Sequence, residues 1–121
     1  MSIELNRIII PARSKWASAT FLASILDVPA GPQRGLFVPV KVGNAVTLDY
    51  ADAERSGTHH CAFLASEAEF DAAYARIRST GITYYAGPHH QRPGEIGHLR
   101  GGRSIHFDDP DGHHIEITTR P

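Results

Sequence analysis

Gly102-Arg-Ser-Ile-His-Phe-Asp-Asp-Pro-Asp-Gly-His-His-Ile-Glu116 is the stretch on which the reading of this chain turns. Ile105 and Phe107 alternate with Ser104 and His106, the two-residue period of a strand with one face in a core and the other polar. Asp108-Asp-Pro-Asp-Gly112 is turn chemistry, because proline fixes one φ while aspartate and glycine accept the remaining conformations. Beyond the turn, Ile115 and Ile117 alternate with His114, Glu116 and Thr118. The segment therefore reads as a strand from Arg103 to Phe107, a turn, and a strand from His113 to Thr119.

The same order of elements occurs twice along the chain. In the second half a strand from Thr58 to Ala65 precedes Ser66, an N-cap with Glu69 three residues on, the signature of a capping box. The helix it opens runs to about Ser79 with Phe70, Ala73, Tyr74 and Ile77 on one face, and Gly81 ends it. A short strand from Ile82 to Tyr85 and a Pro/Gly/His-rich loop from Ala86 to Gly102 lead into the opening stretch; a loop of that length suggests a lid. In the first half a strand from Ile3 to Ile10 is expected to stop at Pro11. Ser14 then caps a helix from Lys15 to about Leu26, and Pro29 to Gly35 forms turns. Strands from Leu36 to Val42 and Ala45 to Tyr50 follow, joined by a two-residue hairpin at Gly43-Asn44. The expected architecture is α+β: tandem βαβββ modules, halves of about 1–52 and 57–121, forming a curved, partly open mixed sheet around a central pocket with helices on the outside. Neither half alone buries a core well, so the expectation is one domain over 1–121.

Composition narrows the functions. With 121 residues, 41% hydrophobic and 21% charged, the chain has room for one core. Twelve basic and thirteen acidic side chains give a formal charge of −1, which disfavours nucleic acid and anionic membranes as partners. No apolar run reaches the length of a membrane span, one cysteine makes no internal disulfide, and the start lacks the order of a signal peptide, so the expected location is the cytoplasm. The unusual count is eight histidines.

Strand parity decides which of them converge. Cys61, Phe63 and Ala65 belong with the helix, leaving His60 on the opposite face; by the same argument Ser104, His106, His114 and Glu116 point away from the helix, as do Arg7, Thr47 and Asp49 in the first half. His59 and His113 fall on the wrong parity and read as structural. Cys61 reads as a small core residue, Trp16 as an anchor or dimer contact, and His89, His90 and His98 as loop residues. Arg103, with Arg92 and Arg100, adds positive charge to the rim.

The closing signature, an apolar strand, Asp-Pro-Asp-Gly and a strand bearing Glu116, resembles that of the vicinal oxygen chelate superfamily, which includes glyoxalase I, bleomycin-resistance proteins, fosfomycin-resistance enzymes and extradiol dioxygenases. The resemblance covers nearly the whole chain. It implies a divalent metal (zinc, nickel, manganese or iron) held by His60 and Glu116, with Thr47 or Asp49 at the matching position of the first half; Asp49, His106 and His114 are the further donors that parity offers. Parity and charge add Glu116, His106 and His114 as catalytic groups and Arg7, Thr47, Asp49 and Arg103 as substrate contacts. The resemblance also implies a small-molecule substrate with vicinal oxygens, lyase, isomerase or dioxygenase chemistry, and a homodimer. Leu5-Asn-Arg-Ile-Ile resembles the family's Leu-Asn-His-Ile-like opening, but Arg7 stands where a histidine is frequent, and a guanidinium offers no lone pair to a metal. Two further readings therefore stand: a metal-free binding protein of the bleomycin-resistance type, with Arg7 pairing with Glu116 or with an anionic ligand, and a scaffold whose histidines are incidental.

Overall fold

Ser14 and Ser66 mark where each half of the chain turns from strand to helix. In the first half β1 (Arg7–Ala12) leads to α1 (Lys15–Leu26), opened by the Ser14 hydroxyl accepting from the Ala17 amide, and then to β2 (Phe37–Lys41) and β3 (Thr47–Asp52). In the second half β4 (His60–Leu64) leads to α2 (Glu67–Thr80), then β5 (Ser104–Asp108) and β6 (His114–Thr118). The capping box is complete: Ser66 Oγ accepts from the Glu69 amide and the Glu69 carboxylate accepts from the Ser66 amide. Gly81 closes α2 in the left-handed conformation. This computed structural model describes residues 3–121 and divides into two compact units, one ending at Gly57 and the other Thr58–Pro121.

Each unit is an open, mixed three-stranded sheet, ordered β1-β3-β2 in the first and β4-β6-β5 in the second. In both, the strand before the helix runs parallel to the last strand and the middle strand runs antiparallel to it. The helix takes the apolar face: α1 packs on its sheet through Ala19, Leu22, Ala23 and Ile25, and α2 buries Phe70, Ala73 and Ile77. The second unit's core adds Ile105, Phe107, Ile115 and Ile117, all fully or nearly fully buried, as their alternation requires.

Four local expectations are corrected. β1 starts at Arg7 and runs through Pro11 to Ala12; as an edge strand it has a side on which a missing N–H costs no ladder bond. The hairpin loop holds three residues, closed by the Val42 amide on the Val46 carbonyl, with Ala45 left-handed at φ 65°. Ile82 to Tyr85 does not form a strand: Tyr85 makes only isolated bridges, to His106 and Pro93. The first half shows the same reduction at Ala30, which bridges Val40, so each module has one strand fewer than βαβββ and the third is a single bridge. Loop 86–102 is a tied wall rather than a free lid, its legs fixed by the Ala86 amide on Gln91 and by Gly97 and Ser104 exchanging both backbone bonds.

Candidate active site

Register converts the parity set into contacts. β6 lies between β4 and β5, with His60 opposite His114, Ala62 opposite Glu116 and His106 opposite Glu116. Glu116 is thus the centre of a cross-strand group on the face away from α2. Its Oε1 lies 3.3 Å from His60 Nε2 and 4.0 Å from His106 Nδ1. His106 Nδ1 is 2.9 Å from His114 Nε2, and the His60 and His114 rings meet edge to face at 4.5 Å. His114 Nδ1 is 3.5 Å from Asp108, whose other oxygen is 2.9 Å from His90 Nε2.

If His114 keeps its proton on Nδ1, facing Asp108, then its Nε2 accepts from the His106 Nδ1–H, and His106 Nε2 carries the free lone pair. Burial pushes the pKa of both rings down; for His106 the nearby Glu116 opposes this, while the His114 and His60 rings add to it, and for His114 the strongest further push comes from His60. Both shifts favour the neutral form of the rings.

The face opens into a groove of about 730 Å³. His60, His106 and Glu116 line it together with Ala62, Phe63, Leu64, Ser104 and Thr118 from the strands, and Arg92, His98, Leu99 and Arg100 from the loop. The first unit carries the counterpart. Arg7 and Asp49 occupy the same diagonal as His60 and Glu116, 3.6 Å apart, with Arg7 opposite Thr47. They line a groove of about 690 Å³ with Arg34, Lys41 and Thr47. Within its own unit each acid has one such partner: Asp49 meets Arg7, and Glu116 meets His60.

Arg103 is not brought to the groove of the second unit. Its guanidinium bonds Glu67 and Asp71 at 2.8 Å each and lies over the Phe70 ring, clamping α2 to β5. His113 accepts from the His59 amide at 3.0 Å, the structural role that parity gave both. Cys61 points the same way, and burial, with Asp109 nearby, pushes its thiol up. Trp16 packs its ring on Gly31 and bonds Gln33. Asp108 was missed, although it shares the parity of Ser104 and His106: ending the strand at Phe107 rather than Asp108 concealed it.

His60 and Glu116 fit a divalent cation in chemistry and spacing, since imidazole and carboxylate donors each about 2.1 Å from one ion stand about 3 Å apart. A third donor is not in place: among the described residues no three His, Cys, Asp or Glu side chains form a ready cluster, and His106 Nδ1 is committed to His114.

The family model of the Glyoxalase/Bleomycin resistance protein/Dioxygenase superfamily matches residues 10–117. The chain belongs to that superfamily. Among solved structures, this glyoxalase-fold chain matches the oxidase ChaP-H2 with a TM-score of 0.97 and 51% identity, over 100% of its own length and 96% of the other. It matches the oxidase ChaP-H1 with a TM-score of 0.96 and 45% identity, over 99% and 98%. Among curated proteins it is 36% identical over 72 residues to metallothiol transferase FosB of Shouchella clausii (strain KSM-K16), a match covering 60% of this chain and 44% of FosB. The chain thus aligns with less than half of that relative. Superfamily members act on small molecules, typically bind divalent metals and often dimerise. No helix among the described residues is long and apolar enough to cross a membrane.

Proposed function

We propose that the chain is a metal-dependent enzyme that oxidises a small molecule bearing neighbouring oxygens, with dioxygen as the oxidant, at the polar face of the second unit. The observation that carries the reading is the His60–Glu116 pair, 3.3 Å apart in a groove of substrate size. The identity of 51% over the whole chain to a protein described as an oxidase supports the oxidative class over lyase or isomerase chemistry.

His60 and Glu116 would hold the ion. A divalent ion there supplies Lewis acidity to two substrate oxygens and, when redox-active, a route for electrons to dioxygen. The chain's own residues do the rest. His106, held neutral by burial and by its bond to His114, keeps a lone pair on Nε2 and serves as base toward a substrate hydroxyl. His114 positions it and is itself oriented by Asp108. Thr118 lines the same groove.

The test is oxygen uptake by the iron(II)-loaded protein with a panel of catechols. Uptake above that of free iron, falling at least about 100-fold in Glu116→Ala, is expected; uptake no greater than free iron across the panel overturns the oxidase reading. A second reading, metal-free binding of an anionic molecule, is favoured by Arg7, which stands at the position equivalent to His60 and cannot ligate a metal. There Arg7, Thr47 and Asp49 would be the contacts, and metal would neither bind nor stabilise the protein.

A further inference from the structure

The groove of the second unit contains more positive charge than metal chemistry needs. Arg92, Arg100 and Arg120 line it, against one side-chain carboxylate, Glu116. None of the three guanidiniums has an ion-pair or hydrogen-bond partner among the described residues. Three arginines elsewhere are engaged: Arg7 by Asp49, Arg103 by Glu67 and Asp71, Arg78 by the face of Tyr74. Arg92 and Arg100 are also held left-handed, at φ 50° and 55°, in a loop whose backbone is tied to the sheet at Gly97 and Ser104.

A second observation points into the same groove. Ser104 is 6% exposed and its hydroxyl is buried without a hydrogen-bond partner. It lines the groove with the arginines. A buried hydroxyl left unpaired is costly unless a ligand completes it. The remaining wall is apolar: Ala62, Phe63, Leu64 and Leu99.

We infer that the substrate of this groove is an organic oxyanion, an apolar or aromatic body carrying a carboxylate or phosphate that Arg92, Arg100 and Arg120 clamp while Ser104 donates its hydroxyl. Guanidinium forks match both oxyanions in a planar, two-point geometry that a neutral phenol does not offer. The inference rests on the reading that this groove is the substrate site, and it adds what the substrate must carry.

The probes are phenyl phosphate, benzoate and phenol, titrated into metal-free protein and followed by amide NMR, so that the result is independent of whether the metal reading holds. At least one of the two anions is expected to bind at least about tenfold tighter than phenol, shifting the Gly97 and Ser104 amides. Arg92→Gln, Arg100→Gln and Arg120→Gln should each weaken that anion at least about fivefold, with Arg100→Lys recovering only part because the charge remains and the fork does not. Phenyl phosphate binding better identifies a phosphate, and benzoate a carboxylate; either supports the inference. Anion binding no tighter than that of phenol overturns it. So does binding unchanged in the three variants, or lost in Arg7→Gln instead, which would place the anion in the first unit.

Discussion

Glu116 gathers its neighbours because the last strand of the unit is the central one, so side chains from both flanking strands reach it. Replacing it with glutamine keeps the shape and removes the charge. Metal affinity should then fall at least about tenfold, while the unfolding midpoint of the metal-free protein changes little. The imidazole pair gives a pH prediction of definite sign. His106 and His114 have pKa values below the ordinary imidazole value of about 6.5 in the fold, through burial first. Above about pH 6.5 both states leave these rings neutral and their contribution to stability is complete; as pH falls below it, the unfolded chain takes up protons first and stability is lost. Denaturant unfolding of the metal-free protein between pH 8 and 5 should show this fall, and His114→Gln should make it shallower. A slope unchanged by that substitution would mean the rings are not held neutral.

At the scale of elements, the helices were legible because their signals are local. Ser66, Glu69 and Gly81 each act within one turn, and Ser66→Ala should cost about 1 kcal/mol by losing the cap. Phe70, fully buried on the inner face of α2 and stacked by Arg103, should cost about 3 to 5 kcal/mol as alanine. Both are read from thermal or urea unfolding. Parity likewise placed His60, His106, His114 and Glu116 on one face, since alternation is a property of each strand alone. What the sequence could not supply was long-range. Nothing in the order of residues says that β4 lies beside β6, which sets the diagonal that joins His60 to Glu116. Nor does it say that Glu67 and Asp71 will capture Arg103, or that Tyr85 will settle for a bridge. Gly97 is a similar case: a Cβ there would stand 2.5 Å from the Ala86 carbonyl oxygen and 2.6 Å from Ser104 Oγ, so only glycine lets the loop seat on β5. Gly97→Ala should therefore loosen the groove wall, seen as faster amide exchange at Gly97 and Ser104.

For the whole molecule, two units of the same plan differ at one diagonal: Arg7 with Asp49 in the first, His60 with Glu116 in the second. The repeat was legible in the order of strand and helix, and the difference in Arg7 alone. The edge strands leave Ile8, Ile9 and Leu64 exposed, apolar surface next to unpaired backbone, which is the kind of edge that a second chain covers. Light scattering should accordingly give the mass of two chains. Calorimetric titration of the metal-free protein with iron(II) and zinc decides whether His60 and Glu116 make a metal site. Binding near one ion per chain is expected, abolished in both His60→Ala and Glu116→Ala. Less than about a tenth of an equivalent bound by the unaltered protein, or equal binding by the two variants, would contradict it.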